Sequence, residues 1–351
     1  MTEAGTPLRP RSIGIGALIA VCLYISGLLV ILTPLPIVYV SATSGRKNGI
    51  LTAALSFLTV LALYFAVFLF SPASAGTLSI PLPGLGLVSH FSSVAVQLFG
   101  GGYFLFFIVV ALVLGEAVRR HWGLVKGGAG ALAAGLALVV LLALILQFSG
   151  AANIITGIKG YLEFMVSEIA RLQQTAGVSN AQTAFLTDHG QEVASFVMGV
   201  IPSLVFVFAL IAVVVNLLFS RRFIRLPHLF SGHMWDVAAF RISDFLIWAV
   251  ILAAAAFFAG RYVVHANFLE FIGINAVIAM AAVYFFQGLA VTAFFLRRVR
   301  FPLIKIAVYI FIILFFQTVG LLIVGLGLAD VWVDFRKRSQ RAHTVHTDNA
   351  E

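Results

Sequence analysis

Residues 127–149 run without a single Asp, Glu, Lys or Arg. As a helix such a run is about 35 Å long, and a bilayer's hydrocarbon core is about 30 Å thick. Inside lipid every backbone N–H and C=O must be satisfied by the chain itself, so only helices and closed barrels can cross. Runs of this length, rather than ten-residue alternating segments, select helices. Apolar runs of similar length recur at 13–32, 49–70, 97–118, 195–219, 242–260 and 268–296, interrupted only by Glu116, Asp244 and Glu270. A last apolar stretch, 302–335, reads as two arms bent near Gln317–Gly320. Charged residues make up 10% of the chain and the mean hydropathy is +1.09, against about 25% charged in a soluble domain. The sequence predicts an all-α polytopic transmembrane helical bundle with about eight full crossings. One bundle domain is expected over 13–335, between a cytoplasmic leader at 1–12 and a cytoplasmic polar tail at 336–351.

Two stretches depart from the pattern. Residues 33–36 read Thr-Pro-Leu-Pro, between apolar runs and ahead of Gly45-Arg46-Lys47-Asn48-Gly49. Two prolines in three residues remove two backbone donors and disfavour helix at the residue before each. In lipid such a break must be buried in protein or line a water-filled cavity. The piece at 34–44 is too short to cross alone. The other stretch is 150–192, where Ile158, Leu162, Met165, Ile169 and Leu172 recur at steps of three and four, with Lys159, Glu163, Glu168 and Arg171 between them. That spacing predicts an external amphipathic helix in the membrane interface, followed by a polar loop. The segment at 71–96 is a Gly-, Pro- and Ser-rich loop without Lys, Arg, Asp or Glu.

Charge sets the expected topology. The net charge of +9 comes from short basic clusters between apolar runs, where the positive-inside rule places them, and not from a nucleic-acid surface. If 13–44 and 302–335 are each a hairpin, 19 of the 22 Lys and Arg residues face one side, leaving Lys159, Arg171 and Arg261 on the other. The reading is a multi-pass protein of the bacterial cytoplasmic (inner) membrane with both termini in the cytoplasm. Thr33–Pro36 then marks a reversal point at the outer end of a short hairpin, near the loop at 71–96.

Enzyme signatures are missing from the sequence. It has no Gly-x-x-x-x-Gly-Lys-Ser/Thr loop and no His-Glu-x-x-His. The spacings of His228, His233 and Asp236 fit no standard metal site. Asp330 lacks the second mid-helix aspartate of an aspartyl intramembrane protease. The expectation is no enzyme, no metal and no cofactor. Glu116 is placed to pair with Arg119 and Arg120, and Asp244 with Arg241; Asp330 and Asp334 read as interfacial. The deeper polar groups are Asn216, Asn275, Tyr284, Gln287 and Gln317, with Tyr284, Gln287 and Gly288 on one helix face. Buried amides join helices or line a pocket. The candidate ligand-binding set is Thr33, Pro34, Pro36, Asn275, Tyr284 and Gln287.

Three stretches carry a resemblance: Thr33-Pro34-Leu35-Pro36 with Gly45 and Gly49; Asn275 through Tyr284-x-x-Gln287-Gly288-Leu289-Ala290-Val291; and Gly327-Leu328-Ala329-Asp330 leading to Asp334-Phe335-Arg336. In this order and spacing they resemble the YybS-like family of predicted bacterial membrane proteins, a domain family of unknown function. That family is similar in turn to the substrate-binding S components of energy-coupling factor transporters. The resemblance implies a helical bundle that binds a solute and relies on partner ATPases. The competing reading is a non-transporting envelope scaffold for cell-wall, division or sporulation machinery. Both imply the lipid bilayer and other membrane subunits as partners.

Overall fold

The structure is a computed structural model and describes residues 8–70, 93–148, 154–175, 188–224 and 240–335. Most of the loop at 71–96, the polar loop after 175, the basic connection with His228, His233 and Asp236, and the tail at 336–351 lie outside the described residues. Those described form eleven α-helices and no strand. Among the described residues seven helices are long and apolar enough to cross a membrane. The all-α polytopic bundle is therefore what the chain forms. The count falls one short of the expected eight because Pro10–Ile25, Val30–Ser44 and Pro302–Leu314 are shorter apolar pieces. Contacts divide the chain into two compact units, Met1–Ile201 with Phe208–Phe230, and Pro202–Val207 with Ser231–Glu351.

In the first unit α1 (Pro10–Ile25) stops well before the prolines. The break lies at Ser26–Leu29, where Gly27 takes a φ of 65°, and a 3₁₀ turn follows at Val30–Leu32. Pro34 and Pro36 then sit in the first turn of α2 (Pro34–Ser44). This corrects the expected break at Thr33–Pro36. A proline's missing N–H matters least in a helix's first turn, and its fixed φ is already helical, so the pair starts a helix. The expected reversal does occur. A Cβ at Gly16 would lie 2.9 Å from Val40 Cγ2. The backbone N–H of Arg9 donates to Asn48 Oδ1 at 3.3 Å, so both arms return to one end.

The helix α2 is the centre of this unit. Ile37, Val38, Val40 and Ser41 are buried. Ser41 is pressed from two sides: a Cβ at Gly49 on α3 (Arg46–Phe70) would lie 2.6 Å from its Cβ, and one at Gly115 on α4 (Ser93–Arg119) 2.7 Å from its Oγ. At the opposite end Tyr24 donates its hydroxyl to the Gly100 carbonyl at 2.8 Å, with the Tyr64 hydroxyl 3.1 Å away. After α4 the chain turns into α5 (Leu124–Phe148). Then comes the amphipathic α6 (Ile154–Thr175), found where its spacing predicted it, with Ile155, Met165, Ile169 and Leu172 exposed. Two hydrogen bonds from Arg171 hold the Glu168 carboxyl below its ordinary range.

The helix α7 (Gly190–Phe223) has 34 residues, about 51 Å of helix. Its Phe208 packs beside Tyr103, Phe106 and Phe107. A Cβ at Gly128 would meet its Leu217 at 3.2 Å. The closing Arg221 and Arg222 of α7 therefore arrive at the end that holds Arg119 and Lys126. Arg9, Arg46 and Lys47 reach the same end through the α1–α2 hairpin and the Ser41–Gly115 contact.

The second unit has, after Pro202–Val207, an irregular entry at 240–243, then α8 (Leu246–Phe258), closed by a π turn at Ala259–Val263. It continues with α9 (Asn267–Leu296), α10 (Pro302–Leu314) and α11 (Phe316–Val333). The bend in the last apolar stretch falls at Phe315, not at Gln317–Gly320. Glycines bring backbones together here. A Cβ at Gly273 would lie 2.3 Å from the Phe257 nitrogen, one at Gly288 2.0 Å from the Ile323 carbonyl oxygen, and one at Gly327 2.1 Å from the Tyr284 carbonyl oxygen. The crossing of α9 and α11 is close to backbone on backbone.

Candidate functional site

The candidate residues fall in different units, with Thr33, Pro34 and Pro36 in the first and Asn275, Tyr284 and Gln287 in the second. In the second unit the glycine crossing sets a polar junction. Gln287 is fully buried on α9 and points between two partners. Its Nε2 donates to Asp330 Oδ2 on α11 at 3.2 Å, and its Oε1 accepts the backbone N–H of Ile242 at 3.3 Å. One amide thus ties the entry segment, α9 and α11. Asp330 is 1% exposed. The close approach at Gly288 and Gly327 carries the carboxylate inside the crossing, in the last turn of α11.

One turn on, Asp334 takes a left-handed φ of 46° and ends the helix. Arg241 donates to Asp334 Oδ2 at 2.7 Å and to Asp244 Oδ1 at 3.0 Å. The pair with Asp244 was expected from its spacing; the pair with Asp334 was not. These bonds, Asp244's first, hold the Arg241 guanidinium above its ordinary value against the opposing effect of burial. Tyr284 is buried beside the crossing, and its hydroxyl has no hydrogen-bond partner among the described residues.

Asn275 does a different job. Pro202 lies inside α7. It has no N–H for the carbonyl four residues back, and its ring presses that carbonyl away. The next donor, Ser203 N–H, reaches Asn275 Oδ1 at 2.9 Å. Asn275 Nδ2 returns to the Phe271 carbonyl of its own helix, also at 2.9 Å.

The first unit repeats this device with the opposite polarity. Pro34 has no N–H to offer Ile31 across the 3₁₀ turn. Asn216 Nδ2 donates to the Ile31 carbonyl instead, at 2.6 Å, and to the Ala212 carbonyl at 2.7 Å. Pro34 and Thr33 are buried and Pro36 is half-buried. Thr33 Oγ1 and Asn216 Oδ1 have no hydrogen-bond partner among the described residues. Asn216 belongs with the break, although the sequence alone did not connect them. The available signal was an amide in an apolar helix of a chain that also carries a proline-opened segment.

Elsewhere polar groups pair locally as their spacing predicts. Glu116 meets Arg119 at 4.0 Å and also Arg120. Arg261 meets Glu270, nine residues on, at 3.1 Å, a pair that the sequence reading did not name. Among the described residues no three His, Cys, Asp or Glu side chains gather as a metal site would need. The junction of Gln287, Asp330, Arg241 and Asp334 can act as a clamp that holds three segments in register.

Long apolar helices joined by internally satisfied amides define a polytopic integral membrane protein. The chain belongs to the family described as "Predicted membrane protein (DUF2232)", whose model matches residues 84–331, and that family is of unknown function. Neither the curated proteins nor the solved structures yield a match. The match covers Arg241, Gln287 and Asp330 of the junction and ends before Asp334. It does not extend to Thr33–Pro36. It supports an uncharacterised membrane family, not the YybS-like name or the likeness to S components.

Proposed function

We propose that this protein is a non-enzymatic scaffold of the cell envelope, a helical platform in the bacterial inner membrane that holds other membrane subunits. One observation carries the reading: the amides that a solute would need are engaged in tying the bundle. Gln287 bridges Ile242 and Asp330, and Asn275 serves Ser203. Backbone-close crossings at Gly273, Gly288 and Gly327 suit a rigid platform better than a moving carrier. The gathering of Arg9, Arg46, Lys47, Arg119, Lys126, Arg221 and Arg222 at one end of the first unit supports a cytoplasmic face there, and with it a cytoplasmic N-terminus. Affinity purification in mild detergent tests the function. Envelope enzymes as stoichiometric partners are the expected result; co-purifying ATPase subunits would reject it. A reporter fused after Arg336 that reads as external would reject a cytoplasmic C-terminus.

A second reading, a solute-binding transport component that borrows partner ATPases, is favoured by one specific observation. The hydroxyls of Thr33 and Tyr284 are buried and have no hydrogen-bond partner among the described residues. A rise in melting temperature with a small polar solute, lost in Thr33→Val or Tyr284→Phe, is the result that would replace the scaffold with this reading.

A further inference from the structure

The basic end of the first unit also holds a cleft. The end of α2, the first turns of α3, the last turns of α4 and the turn into α5 enclose about 270 Å³. Its walls are Ile50, Leu112 and Val113, and its rim carries Arg46, Glu116 and Trp122. That volume lies just below the usual range for small-molecule sites, about 300–1,000 Å³, and suits a segment of chain better than a whole ligand. Ile50 is 44% exposed and its neighbour Leu51 42%, so the apolar wall continues onto the surface that α3 offers to lipid.

The rim is cationic. Arg46 and Lys47 are exposed, and α3 has no acidic residue in its first turn. The open N–H groups of that turn add positive character at the same end. Lys126 lies 5.2 Å from the centre of the Trp122 ring, so an ammonium group and an indole share the rim. Among the described residues that line the cleft Glu116 is the one acidic group, and it is engaged by Arg119 and Arg120. Two guanidinium groups against one carboxylate leave a positive balance. Trp is the residue of headgroup depth, and basic pockets between helices on the cytoplasmic side bind anionic headgroups.

We propose that this cleft binds one anionic phospholipid. The phosphate sits against Arg46 and Lys126, and part of an acyl chain lies along Ile50, Leu112 and Val113. A zwitterionic lipid would bring its own ammonium group up to Arg46, Lys126, Arg119 and Arg120, so the site discriminates by charge.

The test is the thermal unfolding of the full chain in a neutral detergent. Phosphatidylglycerol, phosphatidylcholine of the same acyl chains and inorganic phosphate are each added. Phosphatidylglycerol is expected to raise the midpoint by several degrees, and the other two by less than a third of that. Arg46→Gln with Lys126→Gln should at least halve the rise, while Arg46→Lys with Lys126→Arg should keep it. Val113→Phe fills the cleft without touching a charge and should reduce the rise as well, which keeps the test open if the glutamine pair does not fold. An equal rise with phosphatidylcholine would show unselective solvation, and an equal rise with phosphate a plain anion site. Either result overturns the proposal, as does a full phosphatidylglycerol rise in the glutamine pair or in Val113→Phe.

Discussion

Replacing Gly288 by alanine probes the crossing on which the second unit depends. The new Cβ would lie 2.0 Å from the Ile323 carbonyl oxygen, on a backbone that cannot swing aside as a long side chain can. Ordinary contact begins at 3.4 Å, so the two backbones must part by about 1.4 Å at this point. The bond from Gln287 to Asp330 is already 3.2 Å long. It cannot absorb that movement and remain a hydrogen bond. Overpacking costs about 1–3 kcal/mol, and a buried amide and carboxylate left apart cost about 1–3 kcal/mol more. Gly288→Ala is therefore expected to destabilise by about 4 kcal/mol, near the middle of that combined range. Gly325→Ala, on the facing helix, is the control: its Cβ meets nothing within 4 Å, and helix propensity favours alanine there by up to about 1 kcal/mol. The assay is thermal unfolding in mild detergent, followed by loss of the monodisperse elution peak. A cycle with Gln287→Leu isolates the mechanism, because that substitution should cost less in the Gly288→Ala background than in the wild type. Equal midpoints for Gly288→Ala and Gly325→Ala would refute the close crossing. Strictly additive effects of Gly288→Ala and Gln287→Leu would refute its link to Gln287.

The proline defects give two rescue experiments. Asn216→Leu strips the Ile31 carbonyl of its donor, and a loss of about 1–3 kcal/mol is expected. Adding Pro34→Ala restores a backbone N–H beside it and should recover part of the midpoint. Asn275→Leu leaves Ser203 N–H without its side-chain acceptor and should cost about 1 kcal/mol, within the range for interhelical hydrogen bonds in membranes. Pro202→Ala lets the helix satisfy that region itself, so it should reduce the loss in the Asn275→Leu background. Arg241→Ala removes the partner of both Asp244 and Asp334. Limited proteolysis should then cut sooner near residue 240, with the midpoint lowered by about 1–3 kcal/mol equivalent; an unchanged digestion pattern would count against the clasp.

Much of the fold was legible because it rests on local rules. Helix length against bilayer thickness marked the long helices, and the steps of three and four marked α6. Pairs three and four apart foretold Glu116 with Arg119 and Arg120, and Asp244 with Arg241. Charge asymmetry alone required the chain to return after α1, and the bond between Arg9 and Asn48 is that return. What was not legible depends on distance along the chain. Two prolines look the same in sequence whether they end one helix or open the next. The choice here falls to Gly27 at positive φ and to an amide 185 residues from the Ile31 carbonyl it meets. The burial of Asp330 was not legible while only its own helix was in view, because it is decided by Gly288 on another.

The same distance explains why the candidate site was read in pieces. A polar residue in an apolar helix announces that something nearby needs a partner, but not what. In lipid that need falls first on the backbone, since water is not there to meet it. Asn216 answers for Pro34, and Asn275 for Pro202. Each amide was visible in the sequence, and so was each proline. Only their pairing, one by donor and the other by acceptor, required the fold. An amide deep in a bundle is therefore to be weighed first against the prolines of neighbouring segments, and a ligand is to be inferred from the groups left over. Among the described residues those include the hydroxyls of Thr33 and Tyr284.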